Sequence, residues 1–126
     1  MDVTDCPDLA PVLMAFAAMN GGARLTGTRR LRFKESDRGM AMAEELAKFG
    51  VHVTIGENEI TVGRERPSAP REVLQGHNDH RIVMALAVVC MQTGGILDGA
   101  EAVRKSYPGF WEAMRGLGAG MEIREA

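Results

Sequence analysis

The chain has 126 residues, of which 45% are hydrophobic and 25% are charged, so it contains enough apolar material for the core of one globular domain or a large part of one. Its formal net charge of -2 provides no general attraction to nucleic acid or to an anionic membrane, and neither is an expected partner. No segment has the pattern of a signal peptide or of a bilayer-spanning helix.

The two cysteines indicate a reducing compartment. Cys6 and Cys90 lack the spacing of metal ligands, and Cys90 lies inside an apolar segment. We therefore expect free thiols and a cytoplasmic location.

The first half of the chain predicts a buried helix, a strand, a surface helix and a hairpin. Residues 9–19 are apolar on nearly every face and lie between an Asp/Pro start and an Asn/Gly end, which is typical of a core helix. Residues 36–50 place apolar side chains on one face only, so this second helix, with Ser36 as a candidate N-cap, lies at the surface. The other predicted elements are a strand at 23–27, strands at 51–55 and 59–62 around the turn 56–58, and a loop at 63–70.

The run Gly76-His77-Asn78-Asp79-His80-Arg81 places polar and ionisable side chains at the start of a segment that is apolar on all faces. That segment is too long for a typical strand and too short to span a bilayer, so it predicts a buried helix from 79 to about 92, with Asn78 or Asp79 as N-cap. A cap needs only one side chain. The remaining His and Arg of the run therefore indicate a functional site.

The second half of the chain repeats the order of the first. After this helix come a strand at 96–98, a turn at Gly99, a basic connection at 103–108, a one-faced helix through 110–117 and a closing strand that ends at 123. Gly27 and Gly99 occupy equivalent places 72 residues apart. The chain is therefore predicted to contain two copies of one unit, at about 1–63 and 71–126.

Charged residues gather at the predicted helix starts of both units. They are Asp8 at the first helix, Lys34, Glu35 and Arg38 at the second, Asn78 to Arg81 at the third, and Lys105 just before the fourth. Free backbone N–H groups and the positive end of the helix dipole favour anions at these positions, and Arg and Lys add donors for phosphate or carboxylate. If the repeats place their helices roughly parallel, these ends share one edge, and a ligand with at least one phosphate is implied.

Each of these residues also has an ordinary structural interpretation. Asp8 is as typical of a first-turn acid that complements the helix dipole as it is of a site residue. Residues 34–38 are also typical of a solvated charge run, and Lys105 of an ordinary surface lysine. His52 has no partner in the sequence and is predicted to be structural, and His77 to lie on the loop surface. The functional interpretation depends on the conjunction of the clusters at equivalent helix starts.

Four motifs in this order resemble those of one enzyme family. They are Pro7-Asp8-Leu9-Ala10-Pro11, Lys34-Glu35-Ser36-Asp37-Arg38, Asn78-Asp79-His80-Arg81 and Lys105-Ser106-Tyr107-Pro108. From residue 5 to about 123 the chain is similar to the 3-phosphoshikimate 1-carboxyvinyltransferase family, also called 5-enolpyruvylshikimate-3-phosphate synthase. The sister family that uses UDP-N-acetylglucosamine shares the fold but does not combine the Lys-Glu-Ser-Asp-Arg and Asn-Asp-His-Arg motifs.

The resemblance implies an α/β fold, a partial inside-out α/β barrel of two β-α-β-α-β-β-like units with buried helices. Family members have two domains of three such units each, so the chain would be the C-terminal portion of one domain, with its third unit and the other domain absent. The abrupt start, in which Met1-Asp2-Val3 leads almost at once into a buried-looking segment, also predicts a fragment. We therefore expect the isolated chain to be inactive.

The resemblance also implies the reaction. The family transfers the enolpyruvyl group of phosphoenolpyruvate to the 5-hydroxyl of shikimate 3-phosphate and releases phosphate, in the shikimate pathway to chorismate and aromatic amino acids. The implied partners are these two substrates and the missing domain of the same polypeptide, in a monomeric full-length enzyme. No cofactor and no metal is implied, and Asp8, Glu35 and His80 lack metal-ligand spacing.

The same resemblance implies a role for each matching residue. Asp8 resembles the carboxylate that contacts shikimate 3-phosphate and accepts the 5-hydroxyl proton, and Glu35 resembles the acid that protonates the methylene carbon of phosphoenolpyruvate. Lys34 would contact shikimate 3-phosphate, and His80 is a candidate hydrogen-bonding or proton-relay partner. The residues that would hold the phosphate and carboxylate of phosphoenolpyruvate are Arg38, Arg81 and Lys105.

Two other functions remain open. One keeps the enzyme class and changes the acceptor to a UDP-sugar, which a product assay with both acceptors distinguishes. The other is a non-catalytic anion-binding or interaction domain.

Overall fold

The computed structural model describes residues 1–34, 37–99 and 122–123. In chain order its helices are α1 (Ala10–Met19), α2 (Arg38–Lys48) and α3 (His80–Thr93), and its strands are β1 (Ala23–Thr26), β2 (Val53–Ile55), β3 (Glu59–Val62), β4 (Leu74–Gln75), β5 (Ile96–Asp98) and β6 (Glu122–Ile123). Two short 3-10 turns, Pro7–Leu9 and Arg29–Phe33, precede α1 and α2. The predicted basic connection and one-faced helix at 103–117 lie outside the described residues.

Helices α1 and α3 pack against each other in the core, as their apolar sequences predict. Met14 of α1 and Leu86 of α3 are fully buried, and each such side chain stabilises the fold by roughly 2 kcal/mol. Leu9 and Phe16 are 47% and 54% exposed, so the expectation that α1 is buried on nearly every face is only partly correct. The described part of the chain leaves that side of α1 uncovered. No described helix is long and apolar enough to cross a membrane.

Local hydrogen bonds fix both ends of α2. Asp37 is its N-cap, since the Asp37 side chain accepts a hydrogen bond from the backbone N–H of Met40 (3.2 Å), so the expectation of Ser36 at this position is wrong. At the other end Gly50 adopts the left-handed conformation (φ 86°) and closes a Schellman motif. The helix buries one face, as predicted.

The strands form two three-stranded sheets. The first has the order β1-β3-β2 with antiparallel neighbours, and its β2–β3 hairpin turns through Gly56-Glu57-Asn58 as predicted. The second has the order β4-β5-β6 with parallel neighbours. The sequence does not predict β4, because a strand of two residues shows no periodicity. This short strand leads directly into the turn before α3.

The two cysteines are free thiols in different surroundings. Cys90 is buried in α3, and burial raises the pKa of its thiol to about 12. The thiol is therefore protonated and unreactive at neutral pH in the folded chain. Cys6 is only partly buried.

Candidate active site

Arg38 is the centre of the candidate site. Its side chain is only 2% exposed, and its guanidinium donates from Nε to Asp79 Oδ2 (2.9 Å), from Nη2 to Asp79 Oδ1 (3.3 Å) and from Nη1 to Asp8 Oδ1 (2.8 Å). Arg38 is the first residue of α2, Asp79 caps α3, and Asp8 lies in the 3-10 turn before α1. One guanidinium therefore joins three of the helix starts at which the sequence gathers its charged residues.

Asp79 binds Arg38 and caps α3 at the same time. It is fully buried, and its side chain accepts a hydrogen bond from the backbone N–H of Arg81 (3.0 Å), so it is the N-cap, one of the two residues predicted for that position. A buried carboxylate is tolerated only when it is paired and hydrogen-bonded, and here a forked guanidinium and a helix N-terminus provide both. The position of Arg81 therefore depends on the same carboxylate that holds Arg38.

Asp8 lies at the solvent-facing end of this ion-pair network. Its side chain is 53% exposed, and Lys34 Nζ lies 3.6 Å from its Oδ1. The hydrogen bond from Arg38 lowers the pKa of Asp8 below its ordinary value; partial burial opposes the shift, and the charges of Lys34, Arg38 and Arg81 add to it. Asp8 is therefore ionised at neutral pH and is a weak base in this state.

Arg81 carries unused hydrogen-bonding capacity. Its Nε is buried and has no hydrogen-bond partner in the part of the chain that the structure describes. Leaving such a donor unpaired costs roughly 1–3 kcal/mol, so an unpaired donor of this kind points to a missing ligand. Arg81 and His80 are the first two residues of α3, where backbone N–H groups and the helix dipole favour anions. This arrangement fits a phosphate or a carboxylate.

The other predicted site residues divide into two groups. Lys34 lies beside Asp8, and His80 is half-buried at the start of α3. Glu35 and Lys105 lie outside the described residues.

Sequence reasoning missed a second polar network centred on Glu45. Glu45 Oε2 lies 2.8 Å from His77 Nε2, and Glu45 Oε1 accepts a hydrogen bond from Lys48 Nζ (2.8 Å). His77 was expected on the loop surface; it is instead partly buried, because it contacts this carboxylate. The available signal was spacing, since Glu45 follows Arg38 by seven residues and so lies on the same face of α2.

One group of described residues has the composition of a metal site. The ligand atoms of Glu44, Glu45 and His77 all lie within 4.8 Å of one another. Lys48 already supplies a positive charge to Glu45 there. Asp8 and His80 are not members of this group.

Comparison with known proteins gives a consistent result. A family model for EPSP synthase (3-phosphoshikimate 1-carboxyvinyltransferase) matches residues 1–114. The 3-phosphoshikimate 1-carboxyvinyltransferase of Clostridium kluyveri is 44% identical over 94% of this chain, which corresponds to 28% of that protein. The enzyme of Sulfurisphaera tokodaii is 38% identical over 98% of this chain and 30% of its own length. The chain thus spans less than a third of the length of these curated relatives.

Solved structures agree with the sequence relatives. EPSP synthase from Acinetobacter baumannii superimposes with a TM-score of 0.78 at 30% sequence identity, over 94% of this chain and 28% of that one. This match confirms the predicted α/β fold of the enolpyruvyl transferases. Because the family model covers most of its length, the chain belongs to the EPSP synthase (3-phosphoshikimate 1-carboxyvinyltransferase) family.

Proposed function

We propose that this chain contributes the phosphoenolpyruvate-binding part of a 3-phosphoshikimate 1-carboxyvinyltransferase. The complete enzyme transfers the enolpyruvyl group of phosphoenolpyruvate to the 5-hydroxyl of shikimate 3-phosphate and releases phosphate. The observation that carries the proposal is the buried Nε of Arg81 at a helix N-terminus, which has no partner among the described residues and lies beside the Arg38 ion-pair network. The proposed setting is the cytoplasm, with the second domain of the same polypeptide as partner.

Arg81 and His80 bind the anionic groups of phosphoenolpyruvate at the start of α3. The substrate's phosphate or carboxylate pairs with the Arg81 guanidinium, at the positive end of the α3 dipole. Because these donors are fixed before the substrate arrives, they stabilise the negative charge that persists through the tetrahedral intermediate. Lys105 adds a further positive charge on the basis of the family motif.

Arg38 and Asp8 couple substrate binding to base strength. In the free chain Arg38 Nη1 donates to Asp8, and this hydrogen bond lowers the pKa of Asp8. When the carboxylate of phosphoenolpyruvate replaces Asp8 on Nη1, Asp8 loses that hydrogen bond and gains an anionic neighbour, so its pKa rises. Asp8 then becomes a stronger base for the 5-hydroxyl proton of shikimate 3-phosphate, with Lys34 nearby to bind that substrate.

Glu35 completes the chemistry as the acid that protonates the methylene carbon of phosphoenolpyruvate. Addition across an enol ether requires a base at the nucleophile and an acid at the carbon, on groups held by separate elements. Glu35 lies three residues before Arg38 in the sequence, at the same helix start. In the proposal this acid serves the substrate that Arg38 and Arg81 bind.

The test is phosphate release from phosphoenolpyruvate by the complete gene product that contains this chain. We expect release that depends on shikimate 3-phosphate, and no release by the 126-residue chain alone. Release that depends on UDP-N-acetylglucosamine instead would move the chain to the sister reaction. Absence of release with either acceptor, together with phosphoenolpyruvate binding by the chain, would favour a non-catalytic anion-binding domain.

A further inference from the structure

The buried carboxylate of Glu45, on α2, anchors the turn before α3. Glu45 is 1% exposed, and its Oε1 accepts hydrogen bonds from Lys48 Nζ and from the backbone N–H of Gln75, both at 2.8 Å. Its Oε2 lies 2.8 Å from His77 Nε2. An ionised carboxylate only accepts hydrogen bonds, so Nε2 carries the proton in this contact. Glu45 thereby connects α2 to both β4 and the turn that follows it.

Helix α2 holds this turn at two points. Arg38 binds Asp79, and Glu45, two helical turns further along the same face, binds Gln75 and His77. Seven residues of α-helix span roughly 10 Å. Two attachment points separated by this distance fix the orientation of a short turn as well as its position. Loss of either attachment leaves the turn free to pivot about the other.

The turn needs such an attachment because its backbone is strained. His77 (φ 56°) and Asn78 (φ 53°) are consecutive left-handed residues, and such a conformation costs on the order of 1 kcal/mol or more for a residue other than glycine. Backbone hydrogen bonds from Gly76 to Asp98 (3.1 Å) and from Asp79 to Gly76 (3.0 Å) close the turn. The His77 side chain attaches one of the two strained residues directly to α2 through Glu45.

We propose that Glu45 and His77 are positioning residues for phosphoenolpyruvate. They act through the turn, which places Asp79 and therefore the Arg81 guanidinium and the first N–H groups of α3. This inference rests on the proposed function, because it assumes that Arg81 binds that substrate. Neither Glu45 nor His77 touches the substrate.

Adjacent glutamates provide a matched test in the complete gene product. Glu45→Gln retains the size of the side chain but removes the charge that binds His77 and Lys48, whereas Glu44→Gln makes the same change at an exposed site 4.0 Å from His77. For Glu45→Gln we expect the KM for phosphoenolpyruvate to rise about tenfold, with kcat and the KM for shikimate 3-phosphate changed less than about twofold. Glu44→Gln should match the wild type. Equal effects of the two variants would overturn the proposal.

His77→Gly separates positioning from folding. Glycine removes the imidazole, which costs the contact with Glu45, but it also relieves the left-handed strain, so the two effects partly offset each other and the unfolding temperature should stay close to that of the wild type. We nevertheless expect the KM for phosphoenolpyruvate to rise as it does for Glu45→Gln. An unchanged KM would mean that the imidazole only fills space, and the proposal would be wrong.

A measurement that does not depend on enzyme activity distinguishes failure of this inference from failure of the proposed function. In ¹H–¹⁵N spectra of the 126-residue chain, Glu45→Gln should shift the amide resonances from Gln75 to Arg81, and Glu44→Gln should leave them in place. If those resonances do not respond to Glu45→Gln, the attachment is absent and the proposal fails. If they respond and the wild-type gene product is inactive, the proposed function fails and the role toward phosphoenolpyruvate fails with it. Shifted resonances with an unchanged KM overturn the positioning role alone.

Discussion

The Arg38 network and the Glu45 network both bury charge beside the same turn, but they differ in how completely it is paired. Around Glu45 both carboxylate oxygens have partners, and the network is closed. Around Arg38, Asp8 is half exposed and Arg81 Nε has no described partner. Unused hydrogen-bonding capacity at one end of a rigid, well-paired structure is what a binding site requires, because the donors are fixed before the ligand arrives.

The largest expected effect separates a residue that reacts from those that bind. Glu35→Gln in the complete gene product should lower kcat by roughly 10²–10⁴-fold, because in the proposed mechanism the proton of Glu35 moves only during the reaction. Phosphoenolpyruvate affinity should change little. Steady-state kinetics with Glu44→Gln as control measures both values. Comparable losses in kcat and in affinity would contradict the acid role.

Asp79→Ala should produce the largest loss of stability. It removes a helix cap and leaves the Arg38 charge without its main partner in the interior, for a total of about 3–5 kcal/mol in the free energy of unfolding. Asp37→Ala is the control, because Asp37 caps α2 from an exposed position and its loss should cost about 1 kcal/mol. Urea denaturation of the chain measures both. Similar losses for the two variants would show that the Arg38 pairing adds nothing beyond the cap.

Arg81→Ala should weaken substrate binding without lowering stability. Because Arg81 Nε has no described partner, its removal should leave the free energy of unfolding unchanged or slightly higher. Phosphoenolpyruvate binding should weaken by about 1.5–3 kcal/mol, the usual contribution of a hydrogen bond to a charged group. Calorimetric titration of the complete gene product tests this, with Arg24→Ala as control, since Arg24 pairs with Glu59 on the surface. Unchanged affinity would rule out Arg81 as a ligand for this substrate.

The smallest expected effect concerns the pH dependence of stability at the open end of the Arg38 network. The pKa of Asp8 is lower in the folded chain than in the unfolded one, so ionised Asp8 stabilises the fold above the unfolded value, near pH 4. This contribution disappears as the pH falls through the folded value. The stability difference between wild type and Asp8→Asn should therefore be constant from pH 5 to 7 and shrink below about pH 4. A difference that does not change with pH would contradict the assigned hydrogen bond.

Local signals predicted most of the fold in the part of the chain that the structure describes. Apolar segments with clear start and end residues predicted α1 and α3, and the turn residues Gly56-Glu57-Asn58 predicted the hairpin. Asp79 was one of two predicted caps for α3. These features depend on residues close in sequence, so a single sequence contains the information.

Long-range pairing was not predictable in the same way. Arg38 and Asp79 are 41 residues apart, and the sequence indicated only that both lie at helix starts. Glu45 belongs to a helix with one apolar face, and a glutamate on such a helix is ordinarily expected to be exposed to solvent. Its burial depends on Lys48, Gln75 and His77 meeting it in the folded chain, which no local pattern records.

The reactivity of the Cys90 thiol reports how often α3 separates from the rest of the fold. Because this thiol is buried and its pKa is raised to about 12, a thiol-reactive reagent modifies it only after α3 has separated from its surroundings. Cys6 is only partly buried, so we expect it to react without such a separation. The ratio of the two labelling rates therefore measures how often the helix that carries Arg81 detaches, and no cysteine has to be introduced.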